Sequence, residues 1–241
     1  MHQVLLIGAG KSATVLIDYL SEQAALGYWN VVVADRDIQA LQTKLGNHSA
    51  MRATALDITD EAVRLALVAQ SDLVISMLPP HLHLLVAKDC CRLRKHLLTA
   101  SYTDEAVWAM EKDILDSGVL FLYEMGLDPG IDHMSAMRLI DQIHRSGGYI
   151  RRFLSHCGGL VAPESDRNPW HYLFTWNPRN VVQAGKAGAR YRQQGQWVNR
   201  SYEEVFDAPV PVQINGLPVL EAYPNRDVQH YLTLYGLADA R

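Results

Sequence analysis

The turn after the first hydrophobic run limits the fold more than any other stretch of the chain. Residues 4–7 are consecutive aliphatic side chains, and a Gly-x-Gly-x-x-Ala pattern follows at once, with Gly8, Gly10 and Ala13. A continuous aliphatic run is typical of a strand buried on both faces of a parallel sheet, and apolar residues at helical spacing follow Ala13. This order predicts a strand, a tight turn and a helix N-terminus, the arrangement that binds the pyrophosphate of a dinucleotide.

A P-loop-like tripeptide overlaps this pattern. Gly10-Lys11-Ser12 matches the end of the P-loop that binds nucleoside triphosphates. That motif also requires a glycine five residues before Gly10, and Leu5 stands there inside the predicted strand. The sequence therefore argues against an NTPase.

An acidic residue ends the second predicted strand, residues 30–34. Asp35 lies 22 residues after Ala13, where a carboxylate would reach the adenosine ribose hydroxyls, which favours NAD. Arg36 follows, and a guanidinium at this place holds the 2′-phosphate of NADP in other proteins. The choice between the two cofactors stays open, and a solvated Asp-Arg pair at a strand end is the alternative.

Strands and helices continue to alternate through the first half of the chain. Further predicted strands are 53–56, 73–76 and 96–99, and predicted helices are 38–45, 61–69 and 84–93. Strands separated by helices are typical of a parallel sheet with helices on both faces. The predicted fold class is therefore α/β, with a Rossmann-type doubly wound sheet.

Polar residues follow the third and fourth predicted strands. Asp57 is placed to accept from the adenine amino group, or to cap the helix that begins near residues 59–60. The sequence Ser-Met-Leu-Pro-Pro at 76–80 would border the nicotinamide ribose. His81 and His83 come next, but two helical residues at this spacing point to different faces and make a poor metal pair. We expect both histidines at the surface or in capping positions.

Ser101 and Tyr102 follow the strand predicted at 96–99. They place hydrogen-bonding groups at another strand carboxyl end, where open α/β sheets bind ligands. The alternative is that this segment only starts a helix, with Thr103 as its N-cap.

An acidic turn follows the last apolar run of this half. Residues 119–123 predict a buried strand, and Glu-Met-Gly-Leu-Asp-Pro-Gly-Ile-Asp-His-Met follows at 124–134. Asp128 and Pro129 are typical of an N-cap and a first helical residue, so we expect a helix that starts there and continues over 134–144. A polar turn at the carboxyl end of a parallel strand is a ligand site in such folds. A plain turn with a helix cap is the alternative.

Composition and charge exclude several classes of protein. A net charge of −4 and a pI of about 6.2 give no electrostatic reason to expect nucleic acid or an anionic membrane as a partner. No apolar run reaches about 18 residues, and the run at 4–7 is too short for a signal peptide. Cys90, Cys91 and Cys157 have neither disulfide nor metal-ligand spacing. We expect a soluble cytoplasmic protein that binds no metal.

The second half of the chain differs from the first in composition and pattern. From residue 150 onward, aromatic residues, prolines and glycines replace the alternation, which predicts short strands and long turns. We therefore predict two domains, residues 1–125 and 126–241. Arginine suits bidentate binding of carboxylates, and the candidates here are Arg167, Arg179, Arg190 and Arg226.

Four motifs are more specific than these patterns. They are Gly-Leu-Asp-Pro-Gly-Ile-Asp-His at 126–133, Ser-His-Cys-Gly-Gly-Leu at 155–160, Trp-Asn-Pro-Arg-Asn at 176–180 and Tyr-Pro-Asn-Arg-Asp at 223–227. With them the chain resembles, over essentially its whole length, the saccharopine dehydrogenase (saccharopine reductase) family, the glutamate-forming branch of lysine metabolism. The resemblance implies an NAD(P)-binding Rossmann domain, a second, here incomplete, α/β or α+β domain for substrate binding and dimerisation, and a homodimer.

The resemblance also implies an activity and a site. The activity is NAD(P)-dependent oxidation of saccharopine to glutamate and 2-aminoadipate 6-semialdehyde, or the reverse. The implied cofactor contacts are Gly8, Ala9, Gly10, Lys11, Ser12, Asp35, Arg36, Asp57, Ser76, Leu78, Leu127 and Pro129. The implied substrate contacts are Ser101, Tyr102, Asp128 and Arg226. Asp128 and Cys157 are the candidate catalytic bases, with His133 a further polar candidate that we assign to helical structure.

Two departures from the family pattern matter. His156 stands where relatives read Ser-Tyr-Cys-Gly-Gly, and the family continues beyond the point that corresponds to residue 241. We expect the chain to correspond to the N-terminal half of such an enzyme, with cofactor binding and weak or no activity alone. The alternatives are a reductase like carboxynorspermidine dehydrogenase and a non-catalytic NAD(P)-binding module.

Overall fold

The computed structural model describes residues 2–46, 48–174, 178, 181, 184–207 and 209–238. Two compact units divide the chain, Met1–Asp132 and His133–Arg241. Residues 176, 177, 179 and 180 of the predicted Trp-Asn-Pro-Arg-Asn motif, and with them the candidate Arg179, lie outside the described residues.

The first unit is built on one parallel sheet. Its strands are β1 His2–Ile7, β2 Trp29–Asp35, β3 Met51–Ala55, β4 Leu73–Ser76, β5 His96–Thr99 and β6 Phe121–Leu122. The spatial order is β3-β2-β1-β4-β5-β6, and every neighbouring pair is parallel. The predicted Rossmann-type fold class is confirmed. The order reverses between β1 and β4, which is where sheets of this kind hold their ligands.

Helices cover both faces of this sheet. They are α1 Thr14–Ala25, α2 Ile38–Leu45, α3 Glu61–Ala69, α4 His83–Leu93, α5 Glu105–Trp108 and α6 Glu111–Ser117. Alternate residues of β1 belong to opposite buried clusters, because successive strand side chains point to opposite faces. Leu5 and Ile7 pack in the cluster that holds Val86 of α4, while Val4 and Leu6 pack in the cluster of α1 and α2. The part of β1 that is buried on both faces, residues 4–7, is accordingly apolar at every position.

Aspartates start three of these helices. Asp37 accepts hydrogen bonds from the backbone of Gln39 and Ala40, Asp60 from Val63, and Asp104 from Val107. These caps satisfy backbone N–H groups that have no partner within the first helical turn. The alternative role of Thr103 as an N-cap is therefore wrong, since Asp104 caps α5. Asp60, and not Asp57, likewise caps α3.

The second unit contains short strands and turns, as the sequence predicts. Its elements are β7 Ala189–Gln193, β8 Gln196–Arg200, β9 Val210–Val212, β10 Leu220–Ala222, β11 Arg226–Asp227 and α8 Gln229–Leu234. They form a three-stranded sheet, β11-β7-β8, and an antiparallel pair, β10-β9. The helix α7, Ile131–Arg145, enters this unit and contributes Ala136 and Ile140 to a small buried cluster with Tyr235 and Leu237.

The helices among the described residues include none that is both long and apolar enough to cross a lipid bilayer.

A buried ion pair joins α3 to α4. Arg64 Nε donates to Asp89 Oδ2 at 2.5 Å and Arg64 Nη1 donates to Ile58 O at 2.6 Å. Both charged residues are about as buried as the core, with 5% and 4% of their surface exposed. A buried charge that loses its partner costs far more than an exposed one.

We expect Arg64→Met to lower the free energy of unfolding by about 3–5 kcal/mol, because it removes the buried cation that donates to Asp89 and leaves this carboxylate only the exposed Arg92 guanidinium at 3.8 Å. Urea denaturation followed by circular dichroism measures this loss. Arg145→Met is the matched control, since Arg145 is an exposed partner of Asp141 within α7 and its loss should cost less than about 1 kcal/mol. Equal effects of the two substitutions would contradict the argument.

Candidate active site

The carboxyl ends of the parallel strands lie at one edge of the first unit. Parallel pairing carries β1 to Ile7 beside Ser76 of β4, and β4 to Ser76 beside Thr99 of β5. Because every neighbouring pair is parallel, the loops after all six strands leave the sheet at the same edge. These loops hold the site residues predicted from the first unit.

The glycine turn after β1 packs directly against the loop after β4. Gly8 has φ +96°, and a Cβ on it would lie 2.9 Å from the Met77 carbonyl oxygen. A side chain is thus excluded there by both conformation and space. A Cβ on Gly10, by contrast, would have no heavy atom of the described residues within 4 Å beyond its own chain neighbours, and Ala13 is buried beneath the turn. The turn leaves open backbone at Gly10 beside the start of α1.

Asp35 stabilises this turn by accepting backbone hydrogen bonds. Its Oδ2 accepts from Ala9 N at 2.7 Å and its Oδ1 accepts from Asp37 N at 3.1 Å. Each carboxylate oxygen of Asp35 already accepts from a backbone N–H. A ribose hydroxyl would therefore have to donate to an oxygen that already has a donor. Arg36, next in sequence, is exposed.

A lysine that sequence analysis missed holds the other side of the turn. Lys44 Nζ, on α2, donates to the carbonyl oxygens of Ala9 at 2.9 Å and Gly10 at 2.6 Å. Burial lowers the pKa of Lys44, and the carboxylates of Asp35 and Asp18 offset part of this shift. Nothing in the sequence separates Lys44 from an ordinary surface lysine, because its partners are more than 30 residues away.

Asp57 lies in the loop just after β3. It is exposed, and its Oδ1 accepts from both Thr59 Oγ1 at 2.7 Å and Thr59 N at 2.9 Å. These two hydrogen bonds lower the pKa of the Asp57 carboxyl. The carboxylate stays ionised at the edge of the sheet, where the sequence places an adenine contact.

The loop after β4 turns its serine inward. Ser76 is completely buried and its Oγ lies 2.8 Å from His83 Nδ1, whereas Leu78 is half-buried and packs against the core. The serine hydroxyl therefore faces His83 and not the open edge of the sheet. A side-chain contact of this loop with a cofactor has to come from the residues after Ser76, which leaves Ser76 its backbone.

His83 is buried, and its predicted place at the surface or in a cap is wrong. It is 2% exposed, and its Nε2 lies 2.7 Å from Ser101 Oγ and 3.4 Å from Thr99 Oγ1. His81 is exposed, as expected. The missed signal is helical spacing, since the buried face of α4 consists of His83, Val86, Ala87 and Cys90.

The loop after β5 and the acidic turn after β6 are joined by hydrogen bonds. Tyr102 OH donates to Asp128 Oδ1 at 2.8 Å. Glu124 N donates to Ser101 O at 3.0 Å, and Thr103 N donates to Glu124 Oε1 at 3.3 Å. The structure thus brings together Ser101, Tyr102 and Asp128, the three predicted substrate contacts of the first unit.

The acidic turn is tighter than a simple helix start. Gly126 N donates to Pro129 O and Ile131 N to Gly126 O, both at 2.9 Å, and a Cβ on Gly130 would lie 2.1 Å from Gly126 O. Because the chain closes on itself here, α7 begins at Ile131 and not at Pro129. The predicted N-cap role of Asp128 is wrong, and its carboxylate is exposed beside Tyr102.

The neighbours of Asp128 in this turn differ in exposure. Leu127 is 69% exposed and Pro129 is buried. At the start of α7, Asp132 Oδ1 accepts from Gly130 N at 2.7 Å. Of the two predicted cofactor contacts here, Leu127 is the one whose side chain is open to a ligand.

The remaining candidates lie in the second unit. Cys157 and Arg226 are exposed, and so is Arg167. Arg190 is engaged within the unit, because its guanidinium stacks 4.4 Å from the Trp197 ring and its Nη1 donates to Asp227 Oδ2 at 3.4 Å. Arg190 is thus a structural residue rather than an open carboxylate site.

Comparison with known proteins assigns the family. The model of the saccharopine dehydrogenase NADP binding domain matches residues 4–122, and the model of the saccharopine dehydrogenase C-terminal domain matches residues 126–241. The chain belongs to the saccharopine dehydrogenase family. The resemblance inferred from the sequence motifs is confirmed, as is a dinucleotide-binding domain in the first half.

Individual members of the family agree. Saccharopine dehydrogenase [NADP(+), L-glutamate-forming] of Saccharomyces cerevisiae is 37% identical over 237 residues, which is 98% of this chain and 52% of the yeast protein. Alpha-aminoadipic semialdehyde synthase of Arabidopsis thaliana is 35% identical over 253 residues, 97% of this chain and 24% of that protein. The chain thus spans about half the length of its fungal relative.

A solved structure has the same fold. The apo, histidine-tagged saccharopine dehydrogenase (L-Glu forming) from Saccharomyces cerevisiae superposes with a TM-score of 0.90 at 37% identity, and the match covers 100% of this chain and 53% of that one.

The burial of His83 has a measurable consequence. Desolvation lowers its pKa from 6.5 to about 4, with the Asp104 carboxylate raising it and His81 lowering it by smaller amounts. The unfolded chain therefore binds a proton at His83 in the pH range where the folded chain does not. The contribution of His83 to the free energy of unfolding is therefore fully present above pH 6.5, and it is lost as the pH falls toward 4.

We expect this loss to reach about 3 kcal/mol at pH 4, because folding lowers the pKa of His83 from 6.5 to about 4. Urea denaturation of the unaltered protein and of His83→Gln, from neutral pH to pH 4, isolates the contribution, since Gln does not titrate. The difference in unfolding free energy between the two should shrink as pH falls. A difference that stays constant with pH would contradict the burial argument.

Proposed function

We propose that the chain forms part of an enzyme of lysine metabolism that oxidises saccharopine to glutamate and 2-aminoadipate 6-semialdehyde, or runs the reverse reaction. One observation carries the proposal: the open glycine turn after β1 and the Tyr102–Asp128 pair lie at the same edge of one sheet. A cofactor on the first and a substrate on the second would share that edge. We further propose residues 1–125 as the cofactor domain and 126–241 as part of the substrate and dimerisation domain.

The glycine turn fits a nicotinamide dinucleotide. Gly8 keeps the turn tight, Gly10 exposes backbone where a pyrophosphate would approach, and the N-terminus of α1 follows. When bound, the nicotinamide ring would supply a hydride acceptor or donor. The proposed contacts around it are Ala9, Lys11, Ser12, Asp57, Ser76, Leu78, Leu127 and Pro129.

We propose NADP rather than NAD as the preferred cofactor. Both carboxylate oxygens of Asp35 are held by backbone donors, while the cationic side chain of Arg36 is exposed next to it. A planar guanidinium suits a phosphate dianion and gains nothing from a plain ribose. The names of the fungal relatives, which specify NADP(+), support the same choice.

The Tyr102–Asp128 pair suits a cationic amine. Saccharopine carries carboxylates, a secondary amine and an α-ammonium group, and an ionised Asp128 would pair with a positive nitrogen. The Tyr102 hydroxyl holds that carboxylate in one orientation through its 2.8 Å hydrogen bond. We propose Asp128 and Cys157 as the catalytic acid–base candidates, and Ser101 and Arg226 as further substrate contacts, Arg226 for a carboxylate.

We also propose a cytoplasmic homodimer. Exposed aliphatic side chains on α7, such as Leu139 and Ile143, support an association between copies through the second domain. Sedimentation equilibrium of the purified protein tests this directly, and a monomer at all concentrations would count against it.

Cofactor preference provides one test. We expect NADPH to bind at least about 10-fold more tightly than NADH, because charge-assisted hydrogen bonds to the 2′-phosphate are worth about 1.5–3 kcal/mol. Arg36→Ala should weaken NADPH binding by about 10–100-fold and leave NADH binding nearly unchanged, as measured by isothermal titration calorimetry. Arg92→Ala, on the exposed surface of α4, serves as the control. Equal loss of both nucleotides would rule out a phosphate contact.

The reaction itself provides the second test. Saccharopine-dependent formation of NADPH by the protein extended to the full length of its fungal relatives should be detectable by absorbance, with carboxynorspermidine as the comparison substrate. The 241-residue chain alone should show weak activity or none. Asp128→Asn and Tyr102→Phe should lower kcat/KM for saccharopine by about 10–1000-fold and 3–30-fold respectively, with NADPH affinity retained. In the full-length protein, faster turnover of carboxynorspermidine, or nucleotide binding with no turnover of either amine, would reject the proposed activity.

A further inference from the structure

Three hydroxyl groups surround the buried imidazole of His83. Ser76 Oγ lies 2.8 Å from Nδ1, and Ser101 Oγ lies 2.7 Å from Nε2, with Thr99 Oγ1 at 3.4 Å from the same nitrogen. Ser76 and Thr99 are fully buried, whereas Ser101 is half-buried. Ser101 is therefore the member of this cluster that reaches the edge of the sheet.

The position of the imidazole is fixed by its surroundings. The Tyr123 ring packs against it edge-on, with ring centroids 6.5 Å apart and planes at 76°. Val86 and Cys90, on the same face of α4, are completely buried. With the ring held in this way, Nδ1 keeps Ser76 as its partner, and Nε2 keeps Ser101 and, at the longer distance, Thr99.

The direction of these hydrogen bonds follows from Ser76. Within the described residues, the hydrogen-bond partner of Ser76 Oγ is His83 Nδ1. A buried hydroxyl places its hydrogen on an acceptor, because an unsatisfied donor away from water is costly. The buried hydroxyls of Ser76, 2.8 Å from Nδ1, and Thr99, 3.4 Å from Nε2, both need an acceptor, and a neutral imidazole offers one. The shorter contact assigns Ser76 as the donor, so Nδ1 is the unprotonated nitrogen. A neutral imidazole carries one proton, so this proton lies on Nε2 and is donated to Ser101.

This assignment leaves the hydrogen of the Ser101 hydroxyl for another group. Ser101 Oγ already accepts from Nε2, so its own hydrogen points away from the ring. The backbone of Ser101 is also held, since its N–H donates to Thr99 Oγ1 at 3.2 Å and its carbonyl accepts from Glu124 N at 3.0 Å. The hydroxyl is thereby a donor in a set orientation beside Tyr102 and Asp128.

We propose that His83 is a positioning residue: with Ser76 it fixes Ser101 as a one-way hydrogen-bond donor to a carboxylate oxygen of the substrate. A carboxylate is acceptor-only, so a hydroxyl whose hydrogen already points away from the ring is preorganised to bind it. Identification of that ligand as a substrate carboxylate rests on the proposed function. The tautomer of His83 does not depend on it.

The tautomer is tested first. Nitrogen chemical shifts of the His83 imidazole, measured by NMR in the full protein at neutral pH with and without NADP, should show a protonated Nε2 and an unprotonated Nδ1. Assignment of the signal comes from its loss in His83→Gln. A protonated Nδ1, or a doubly protonated ring, would overturn the inference.

Substrate binding tests the role. Saccharopine affinity is measured by calorimetry with NADP present, and NADP affinity is measured separately. His83→Leu should weaken saccharopine binding by about 10-fold, the scale of one hydrogen bond to a charged group, with NADP affinity within about 2-fold of the unaltered protein. His83→Gln can place an amide N–H near the position of Nε2 and should restore most of the loss.

Two further variants separate positioning from packing. Ser101→Ala should lose as much saccharopine affinity as His83→Leu, and the double variant should lose no more than either, because both remove the same interaction. Val86→Ala, a buried neighbour on the same face of α4, should lower the melting temperature without this loss. Additive losses in the double variant, or an equal loss in Val86→Ala, would assign His83 to the core alone.

The two proposals fail in different ways. If the protein at the full length of its fungal relatives binds no saccharopine while Nε2 carries the proton, the proposed function is rejected and the assignment of Ser101 as donor stands. If saccharopine binds and Nδ1 carries the proton, the inference about His83 is rejected and the proposed function stands.

Discussion

The parallel pairing of β1 with β2 on one side and β4 on the other decides where chemistry is possible in the first unit. Both pairings are in register up to Ile7, which lies beside Ala34 and Ser76. The three strands therefore end together, and the segments that follow them begin at the same end of the sheet. Gly8 is the residue at this point, and the Met77 carbonyl leaves it no room for a side chain. Every contact of the glycine turn depends on that close approach.

Much of the first unit could be predicted because its determinants are local. The helices at 38–45 and 61–69 and the strands at 73–76 and 96–99 have the predicted bounds. Continuous apolar runs mark strands covered on both faces. The helix caps were predicted less well, because Asp104, next to the predicted Thr103, caps α5. Where local signals were weaker, as in the two-residue strand β6, the element exists but its bounds differ from 119–123.

The site was harder to predict because its contacts join distant residues. His83 looks like a surface histidine until the hydroxyls of Ser76 and Ser101 surround it, and Lys44 gains meaning only from the carbonyls of the glycine turn. Asp128 was predicted as a cap because Asp-Pro is a common helix start. The closed turn from Gly126 to Gly130 overrides that preference and leaves the carboxylate to Tyr102.

Lys44 also couples the order of α2 to the order of the glycine turn. Its ammonium group reaches from the last turn of α2 to two carbonyls of the glycine turn. Fraying at the end of α2 would withdraw this cross-link and release the turn. By linkage, a ligand that requires the ordered turn suppresses that fraying, so amide hydrogen exchange in α2 reports on occupancy from a helix that need not touch the ligand.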